Sequence, residues 1–503
     1  GLTSTQIAGL GDEEISSLGA EQLAALSATQ WKGLSGDLMG SLSVDELAGL
    51  TTTQMAALTT TQLAGFSDEQ VAALSTTQLA ALSSAQVGAL SADGIAGLSL
   101  TQIGSLSTTQ LHGLTVTQMA LTTEQVSGLT ATDLGALTLT QLGALSSTGL
   151  AALTATQISG LTTRQIAALT TTQLDGLSDT QMEVLTATQL AAFSSTQIAS
   201  LSTGAVAGLS TTQIDGLSTT QLRGLTTTQM GALAETQIQA LSNTDLTALS
   251  STQLSGLSAT GVAALADTQI DRLSSTQLAG LSTTGLAGLS AAQLAGLTTT
   301  QMRGLSSTQI GALSTTALDG LATTQVAALS TAQLRGLTAT QMGSLSTTQI
   351  AGLTTTEVAA LTATQLSGLS TTGIAALSTT QLKGLTSTQI GSLSTTGIGG
   401  LTETQIGALS TTQLRGLTTT QISSLSTTQV AGLTETEIGA LSTSQLAGFS
   451  ASGIAALTAT QIDGLTSTQI SSLSTAGIRG LTTTQLASLD ETQLAALSSS
   501  QVG

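Results

Sequence analysis

Polar and apolar residues follow one eight-residue pattern along the whole chain. A clean copy, residues 346–353, reads Ser-Thr-Thr-Gln-Ile-Ala-Gly-Leu, and the general form is [S/T]-x-T-Q-[L/I/V/M]-x-[G/A/S]-L. Positions 5 and 8 of this octad are large and apolar, whereas positions 1 to 4 are mostly polar. Fourteen copies fill residues 3–114, a seven-residue copy spans 115–121, 47 more copies fill 122–497, and a partial copy closes the chain. The octad is therefore the unit from which the structure must be built.

The polar positions of the octad carry a signal that starts a helix. With Ser346 as the N-cap, its hydroxyl can accept the backbone N–H of Gln349, and the Gln349 side chain can reach back to the N–H of Ser346, which is a capping box. Leu345 and Ile350 then occupy the two positions of a hydrophobic staple. Both devices recur in nearly every copy, which predicts one short helix per octad.

The charged residues support the same interpretation. Of 28 acidic residues, 22 lie at octad positions 1 to 4, and eight of the nine Lys and Arg residues lie at position 6 or 7, with Arg164 as the exception. Acids at the start of a helix and bases at its end are stabilised by the helix dipole, and a strand has no comparable polarity. The six remaining acids lie at position 6: Asp175, Glu183, Asp215, Asp271, Asp319 and Asp463.

The period shows that these helices are short. Eight residues at 100° each turn through 800°, so in a continuous helix each copy would drift about 80° from the last and no apolar stripe would survive. Position 7 is nearly always Gly, Ala or Ser. Glycine there can end a helix in the left-handed conformation, or a small residue can allow close packing. The sequence leaves both explanations open.

The competing interpretation is a β-solenoid, because Thr and Ile favour strands and short-period β-helices exist. Positions 5 and 8 differ by an odd number, so a straight strand would place them on opposite faces unless a turn intervened. The sequence therefore favours an all-α solenoid of short capped helices, with the β-solenoid as the alternative. We expect residues 1–503 to form one continuous solenoid that is a segment of a longer protein.

A longer period is superimposed on the octad. Position 4 is usually Gln but becomes Gly or another small or apolar residue at every seventh octad. One explanation is growth of the array by duplication of blocks of seven octads. The other is that seven octads make two whole coils, with three and a half octads in each. The small or apolar residues of this series are Leu38, Gly94, Gly149, Ala205, Gly261, Ala317 and Gly373.

Composition excludes several classes of protein. The net charge is −19, aromatic residues are 1% of the chain, and there is no basic patch, so nucleic-acid binding is not expected. No apolar run approaches the 18 or so residues that span a bilayer. The first copies are the least regular and the most acidic, which indicates either an acidic contact region or a diverged part of the array.

The sequence predicts no catalytic, cofactor-binding or metal-binding residue. His112 is the only His and there is no Cys, so a zinc site is not expected. The acidic run Asp12-Glu13-Glu14 lacks the alternating ligands of a calcium loop. Trp31 takes a slot that usually holds Leu or Ile. The Met residues at position 5 are expected to fill the core, and the Ser and Thr hydroxyls are expected to act as caps; regular Thr rows leave ice binding as a minor alternative.

The octapeptide array resembles, over its whole length, the very large, low-complexity repetitive proteins that bacteria secrete or display at the cell surface. This resemblance implies a structural, non-enzymatic protein, extracellular or at the bacterial surface, that forms a rod or fibre as a stalk, spacer, adhesin or filament subunit. Self-association or end-to-end stacking is the expected partnership, with cell-surface or glycan partners as further candidates. The alternative hypothesis is a scaffold that binds protein or glycan along one face, and an enzyme is not expected.

Overall fold

The computed structural model describes the backbone of residues 1–503 and every side chain other than those of Asp12 and Ser16. Within the described residues the chain is helical, with 62 helices of four to six residues and no strand. The chain divides into two compact units, Gly1–Leu249 and Ser250–Gly503. The predicted all-α architecture is confirmed and the β-solenoid alternative is wrong; the single continuous array stays a prediction.

The helices of unit 1 are Ser4–Ile7, Asp12–Ser16, Ala20–Ala24, Ala28–Trp31, Gly36–Ser41, Val44–Ala48, Thr52–Ala57, Thr60–Ala64, Asp68–Ala72, Thr76–Ala80, Ser84–Val87, Ala92–Ala96, Leu100–Gly104, Thr108–Leu111, Thr123–Ser127, Ala131–Ala136, Leu139–Ala144, Ser147–Ala151, Ala155–Ser159, Thr163–Ala168, Thr171–Asp175, Asp179–Glu183, Ala187–Leu190, Ser195–Ser200, Thr203–Ala207, Thr211–Asp215, Thr219–Leu222, Thr227–Ala232, Glu235–Ala240 and Asn243–Ala248.

The helices of unit 2 are Ser251–Leu254, Ala259–Ala263, Asp267–Ile270, Ser275–Gly280, Thr283–Leu286, Ala291–Gly296, Thr299–Gly304, Ser307–Gly311, Thr315–Asp319, Thr323–Val326, Thr331–Leu334, Ala339–Ser344, Thr347–Ala351, Thr355–Ala359, Ala363–Gly368, Thr371–Ala375, Thr379–Lys383, Ser387–Gly391, Thr395–Ile398, Glu403–Ile406, Thr411–Leu414, Thr419–Ser423, Thr427–Ala431, Glu435–Gly439, Thr443–Leu446, Ala451–Ala456, Ala459–Asp463, Ser467–Ser471, Thr475–Arg479, Thr483–Ser488, Glu491–Ala495 and Ser499–Val502.

Each full octad forms one helix that starts where the capping box predicts. Ser346 is an extended N-cap with φ −67° and ψ 159°, its hydroxyl accepts the N–H of Gln349, and the reciprocal bond is present. The seven-residue copy at 115–121 keeps its cap but forms only a turn at residues 116–119. In this copy the N–H of Met119 still donates to the carbonyl of Thr115, but the N–H of Ala120 donates to Thr117, three residues back, and the helix does not continue.

The helices end without a left-handed residue. No residue of the described backbone, glycine included, has a positive φ. Position 7 instead stays in the right-handed helical region, as Gly352 does at φ −73°, and the next Leu is extended. The left-handed glycine cap considered for position 7 is therefore wrong.

Position 7 is small because another backbone lies against it. A Cβ built on Gly176 would lie 2.9 Å from the carbonyl oxygen of Ser147, and one built on Gly128 would lie 2.5 Å from that of Leu100. Both carbonyls belong to octads about one coil earlier in the chain. Close backbone approach between coils, the second explanation for this position, accounts for the small residue.

Within each unit, most helices pack against the helix three octads earlier. In unit 1 the helix Asp68–Ala72 packs against Ala92–Ala96, and in unit 2 Ala339–Ser344 packs against Ala363–Gly368. Positions 5 and 8 form the core between successive coils; Ile350 is fully buried and Leu353 is 3% exposed. Each unit is therefore a helical solenoid whose apolar spine is shared between coils.

Candidate functional site: the glutamine between coils

The position-4 glutamine makes contacts on two sides. Its side-chain oxygen serves its own helix: Gln349 Oε1 accepts the N–H of Ser346 at 2.8 Å. Its amide nitrogen serves an earlier coil: Gln349 Nε2 donates to the carbonyls of Leu318 at 2.9 Å and Leu321 at 2.8 Å. Gln349 is only 2% exposed, so both ends of the amide are satisfied inside the protein. We call a position-4 Gln with this geometry a bridging glutamine.

The bridging glutamine explains how the helices end. The last carbonyls of a helix have no partner within it, and here no left-handed turn of the described backbone supplies one. The amide of the octad four copies later donates to the carbonyls of positions 5 and 8 instead. One side chain therefore caps the start of its own helix and the end of another.

The same bond fixes the length of a coil. In unit 1, Gln173 donates to the carbonyls of Leu142 and Leu145, 31 and 28 residues earlier, both at 2.9 Å. In unit 2, Gln413 donates to those of Leu382 at 2.8 Å and Leu385 at 2.7 Å, with the same separations. The shorter separation equals three and a half octads. Helices contact octads three copies away and glutamines bond to octads four copies earlier, which is the arrangement expected of the coil explanation; at this length, marks at every seventh octad fall every second coil.

Some octads have no bridging glutamine because position 4 is Gly. At Gly373 the cap hydroxyl still accepts a bond, since Ser370 Oγ lies 3.0 Å from the Gly373 N–H. There is no amide to accept the N–H of Ser370 or to donate to the carbonyls of Met342 and Leu345, the equivalent positions one coil earlier. These octads keep their helix and lose the bond between coils.

Other octads have a buried acid at position 4. Glu357 is 8% exposed, and its Oε2 accepts the N–H of Thr354 at 2.6 Å, so the capping box is intact. An ionised carboxylate accepts hydrogen bonds and cannot donate them. It therefore cannot replace an amide at the carbonyls of Val326 and Leu329, which are the equivalent positions one coil earlier.

Basic side chains at position 6 supply a different cap. Arg335 Nε donates to the carbonyl of Ala360 at 2.9 Å, and Arg415 Nε to that of Ala440 at 2.7 Å. Each acceptor lies near the C-terminal end of the helix three octads later, where a cation is favourable. His112 makes the corresponding contact with the carbonyl of Ala136. These side chains therefore act as helix caps.

The other residues singled out by sequence are dispersed. Trp31 is fully buried in the spine, and its Nε1 has no hydrogen-bond partner among the described residues. The side chain of Asp12 lies outside the described residues. Among the side chains that are described, no group of three or more His, Cys, Asp or Glu could hold a metal ion. In the same residues no helix is long and apolar enough to cross a membrane.

Sequence reasoning found the capping box but missed the second bond of the glutamine. The missed signal was the choice of amide over acid, because a capping box accepts Glu as well as Gln. Position 4 is nevertheless Gln in most copies. That preference indicates a required N–H donor, and the carbonyls of the preceding coil are its acceptors.

The fold and the bridging glutamine define a class of proteins, the helical repeat solenoids. The ALTTAQ repeat family matches ten segments that together cover more than half of the chain, so the chain belongs to this family. The matched residues are 68–100, 139–171, 214–243, 270–307, 326–355, 358–395, 374–411, 398–435, 406–443 and 438–475.

Other comparisons add little. No curated protein matches the chain. Among solved structures, the leucine-rich repeat-containing protein LegL7 from Legionella pneumophila is similar at 14% identity, covering 48% of this chain and 85% of that one. The TM-score is 0.14, so this likeness carries no argument about fold or function.

Proposed function

We propose that the chain is a structural, non-enzymatic repeat scaffold that forms an elongated rod or fibre outside the bacterial cell. The observation that carries this proposal is the bridging glutamine, which repeats the same bond between coils through both units. Side chains that could do chemistry are used as caps instead: Gln349 on carbonyls, Ser346 on an N–H, and Arg335 on a helix end. The roles of stalk, spacer, adhesin or filament subunit all require such a uniform array.

Self-association is part of this proposed function. Large apolar side chains at positions 5 and 8, such as Ile350 and Leu353, are buried between successive coils, so each coil offers its neighbour an apolar surface. Because the octads share one pattern, a coil of a second copy has the matching chemistry.

Sedimentation velocity of the 503-residue polypeptide tests the proposal. The expected result is reversible growth of the particle with concentration. Leu100→Gln with Leu139→Gln, which removes two exposed leucines at position 2, should leave that growth unchanged, because the proposed contact is made by positions 5 and 8. A polypeptide that stays monomeric at high concentration would contradict end-to-end stacking.

The second candidate is a scaffold that binds a partner along one face, and the distribution of charge favours it. In unit 2 the ten acidic residues fall within less than half of the places around a coil. Exposed members such as Asp319, Glu403 and Asp463 therefore lie on one side. Binding of a basic protein or an amino-sugar polymer that is lost when these three acids become amides would support this candidate over the first.

A further inference from the structure

Some departures from glutamine at position 4 occur in a fixed order. After the short copy, each acid at position 4 is followed two octads later by a glycine at position 4. Each is also preceded by a basic residue at position 6, three copies earlier. We call each of these groups a marked set. The four sets are His112, Asp133 and Gly149; Arg223, Asp245 and Gly261; Arg335, Glu357 and Gly373; and Arg415, Glu437 and Gly453.

Each marked set lacks two bridging glutamines within three successive octads. In the set at Glu357 and Gly373, neither side chain donates to the carbonyls one coil earlier. The octad between them keeps its bond, since Gln365 Nε2 donates to Leu334 at 2.6 Å and Leu337 at 2.8 Å. Only one of these three octads therefore has a bridging glutamine.

The two losses lie on opposite sides of the solenoid. Their separation of two octads is a little more than half of a coil. Ile374 and Val358 remain fully buried, so the apolar spine is intact while both flanks lack the glutamine bond between coils. The coil is therefore held by apolar contact, by the amide of Gln365 and by the bond from Arg335 to the Ala360 carbonyl.

The basic member of the set keeps the acidic helix formed. Arg335 caps the helix of Glu357 at Ala360, and Arg415 caps the helix of Glu437 at Ala440. At the other end of those helices the carboxylate accepts the N–H of the N-cap, at 2.6 Å for Thr354 and 2.7 Å for Thr434. Each helix is capped at both ends, and its basic cap also reaches it from the neighbouring coil. What is missing is the pair of bonds that a glutamine amide would donate to that coil.

We propose that the marked sets that lie within one unit, those at Asp133, Glu357 and Glu437, are built-in opening points, where one coil separates from the coil before it without its helices unfolding. The spacing supports this role: the sets at Glu357 and Glu437 are ten octads apart, and of the octads between Gly373 and Glu437 all but that of Gly397 keep Gln at position 4. Local opening of this kind is set by the free energy of each interface in a repeat protein. A solenoid with spaced weak interfaces yields to tension or bending at defined coils.

Amide hydrogen exchange measured by mass spectrometry on the full chain tests this proposal. Residues 354–377 should exchange faster than the fully bridged residues 378–393. The amide of Ser370 has no acceptor among the described residues, whereas that of Ser378 is bonded to Gln381 Oε1 at 2.6 Å. Residues 434–457, in the next set, should behave like 354–377. Equal rates in marked and unmarked octads would overturn the proposal.

Substitutions that restore glutamine at position 4 provide a second test by the same measurement. Glu357→Gln with Gly373→Gln should slow exchange of residues 354–377 by about tenfold, because each new amide finds two carbonyl acceptors. The nearest atom to a Cβ built on Gly373 is the Ser370 hydroxyl oxygen at 3.1 Å, so a shift of a few tenths of an ångström in that side chain admits the Cβ.

The matched controls are Gly373→Ala, which adds the Cβ without the amide, and Glu403→Gln, which removes an exposed charge without adding a bond. Either control slowing exchange as much as the glutamines would show that the missing amide is not the cause. Glu357→Gln alone is nearly isosteric and keeps the test valid if the double variant folds poorly.

Discussion

The early octads of unit 1 and the regular octads of unit 2 bury the same apolar position but differ in how fully their helices are capped. In residues 11–26 the N-caps are Gly11 and Gly19, which have no side chain to accept a bond. In residues 346–369 the caps are Ser and Thr, and each N3 residue reaches back to its cap. Both regions nevertheless bury position 5: Ile15 and Leu23 are as fully buried as Ile350. The apolar spine is the indispensable part, and caps and bridges add stability and register.

The largest loss of stability should follow from truncating a buried apolar side chain in the regular octads. Ile350→Ala leaves a cavity in a closed core and should lower the free energy of unfolding by about 3 kcal/mol. Urea denaturation followed by circular dichroism measures this, with the exposed Thr347→Ala as control. A loss as small as that of the control would mean that the coils can collapse around the cavity.

The next largest effect should come from removing the bond that a bridging glutamine donates to an earlier coil. Gln349→Glu keeps the capping box, as Glu357 does, but removes the donor to Leu318 and Leu321, so it should cost about 2 kcal/mol. Gln22→Glu changes an exposed residue whose oxygen accepts the N–H of Gly19 at 3.0 Å. We expect little change there. Equal losses at Gln349 and Gln22 would contradict the role of the amide, and thermal unfolding of both variants decides.

A smaller effect comes from the caps. Ser346→Ala should lower stability by about 1 kcal/mol, whereas Gly19→Ser should raise it by only a few tenths, because glycine is itself a tolerable N-cap. Trp31 offers a local probe for the second variant, since it is the single Trp and lies buried in the next octad. Its fluorescence transition in urea should move upward with Gly19→Ser and stay in place with Ser346→Ala if the regions unfold independently.

The smallest effect is electrostatic. Asp490 caps its helix, and its pKa is lowered by the hydrogen bond from the Thr492 hydroxyl and then by the N–H of Gln493. A carboxyl whose pKa is lower in the folded state stabilises that state above its ordinary pKa, and the contribution is lost as the pH falls through the lowered value. Acid titration should therefore loosen this octad below about pH 4, and Asp490→Asn should remove that dependence as read by exchange of residues 490–497.

Much of this architecture could be predicted from the octad. The box formed by Ser346 and Gln349 depends on residues three apart, so local sequence defines it, and the front-to-back order of charge gives the helix its direction. The end of the helix could not be predicted, because its partner lies a whole coil away and the pattern is identical in every register. The choice between a left-handed glycine and close packing at Gly176 likewise depends on a backbone from another coil.

The distribution of marked residues was visible in sequence, but its meaning depended on the coil. Gly261, Ala317 and Gly373 are seven octads apart, which either duplication or two coils could explain. Only the bonds between coils show that such residues share a side within unit 2. The sequence alone assigned position 4 to the capping box, whereas in the structure its glutamine also donates to the carbonyls of an earlier coil.

The bridging glutamine also determines the order in which hydrogen bonds between coils can form during synthesis. The glutamine bond always runs from a later octad to an earlier one, as Gln349 donates to the carbonyls of Leu318 and Leu321. During synthesis at about 5–20 residues per second, a newly emerged helix would wait roughly 1 to 6 s for its cap. The carbonyls of each coil thus receive their glutamine bonds only when the next coil has left the ribosome, and these bonds form in order from the N-terminal to the C-terminal octads.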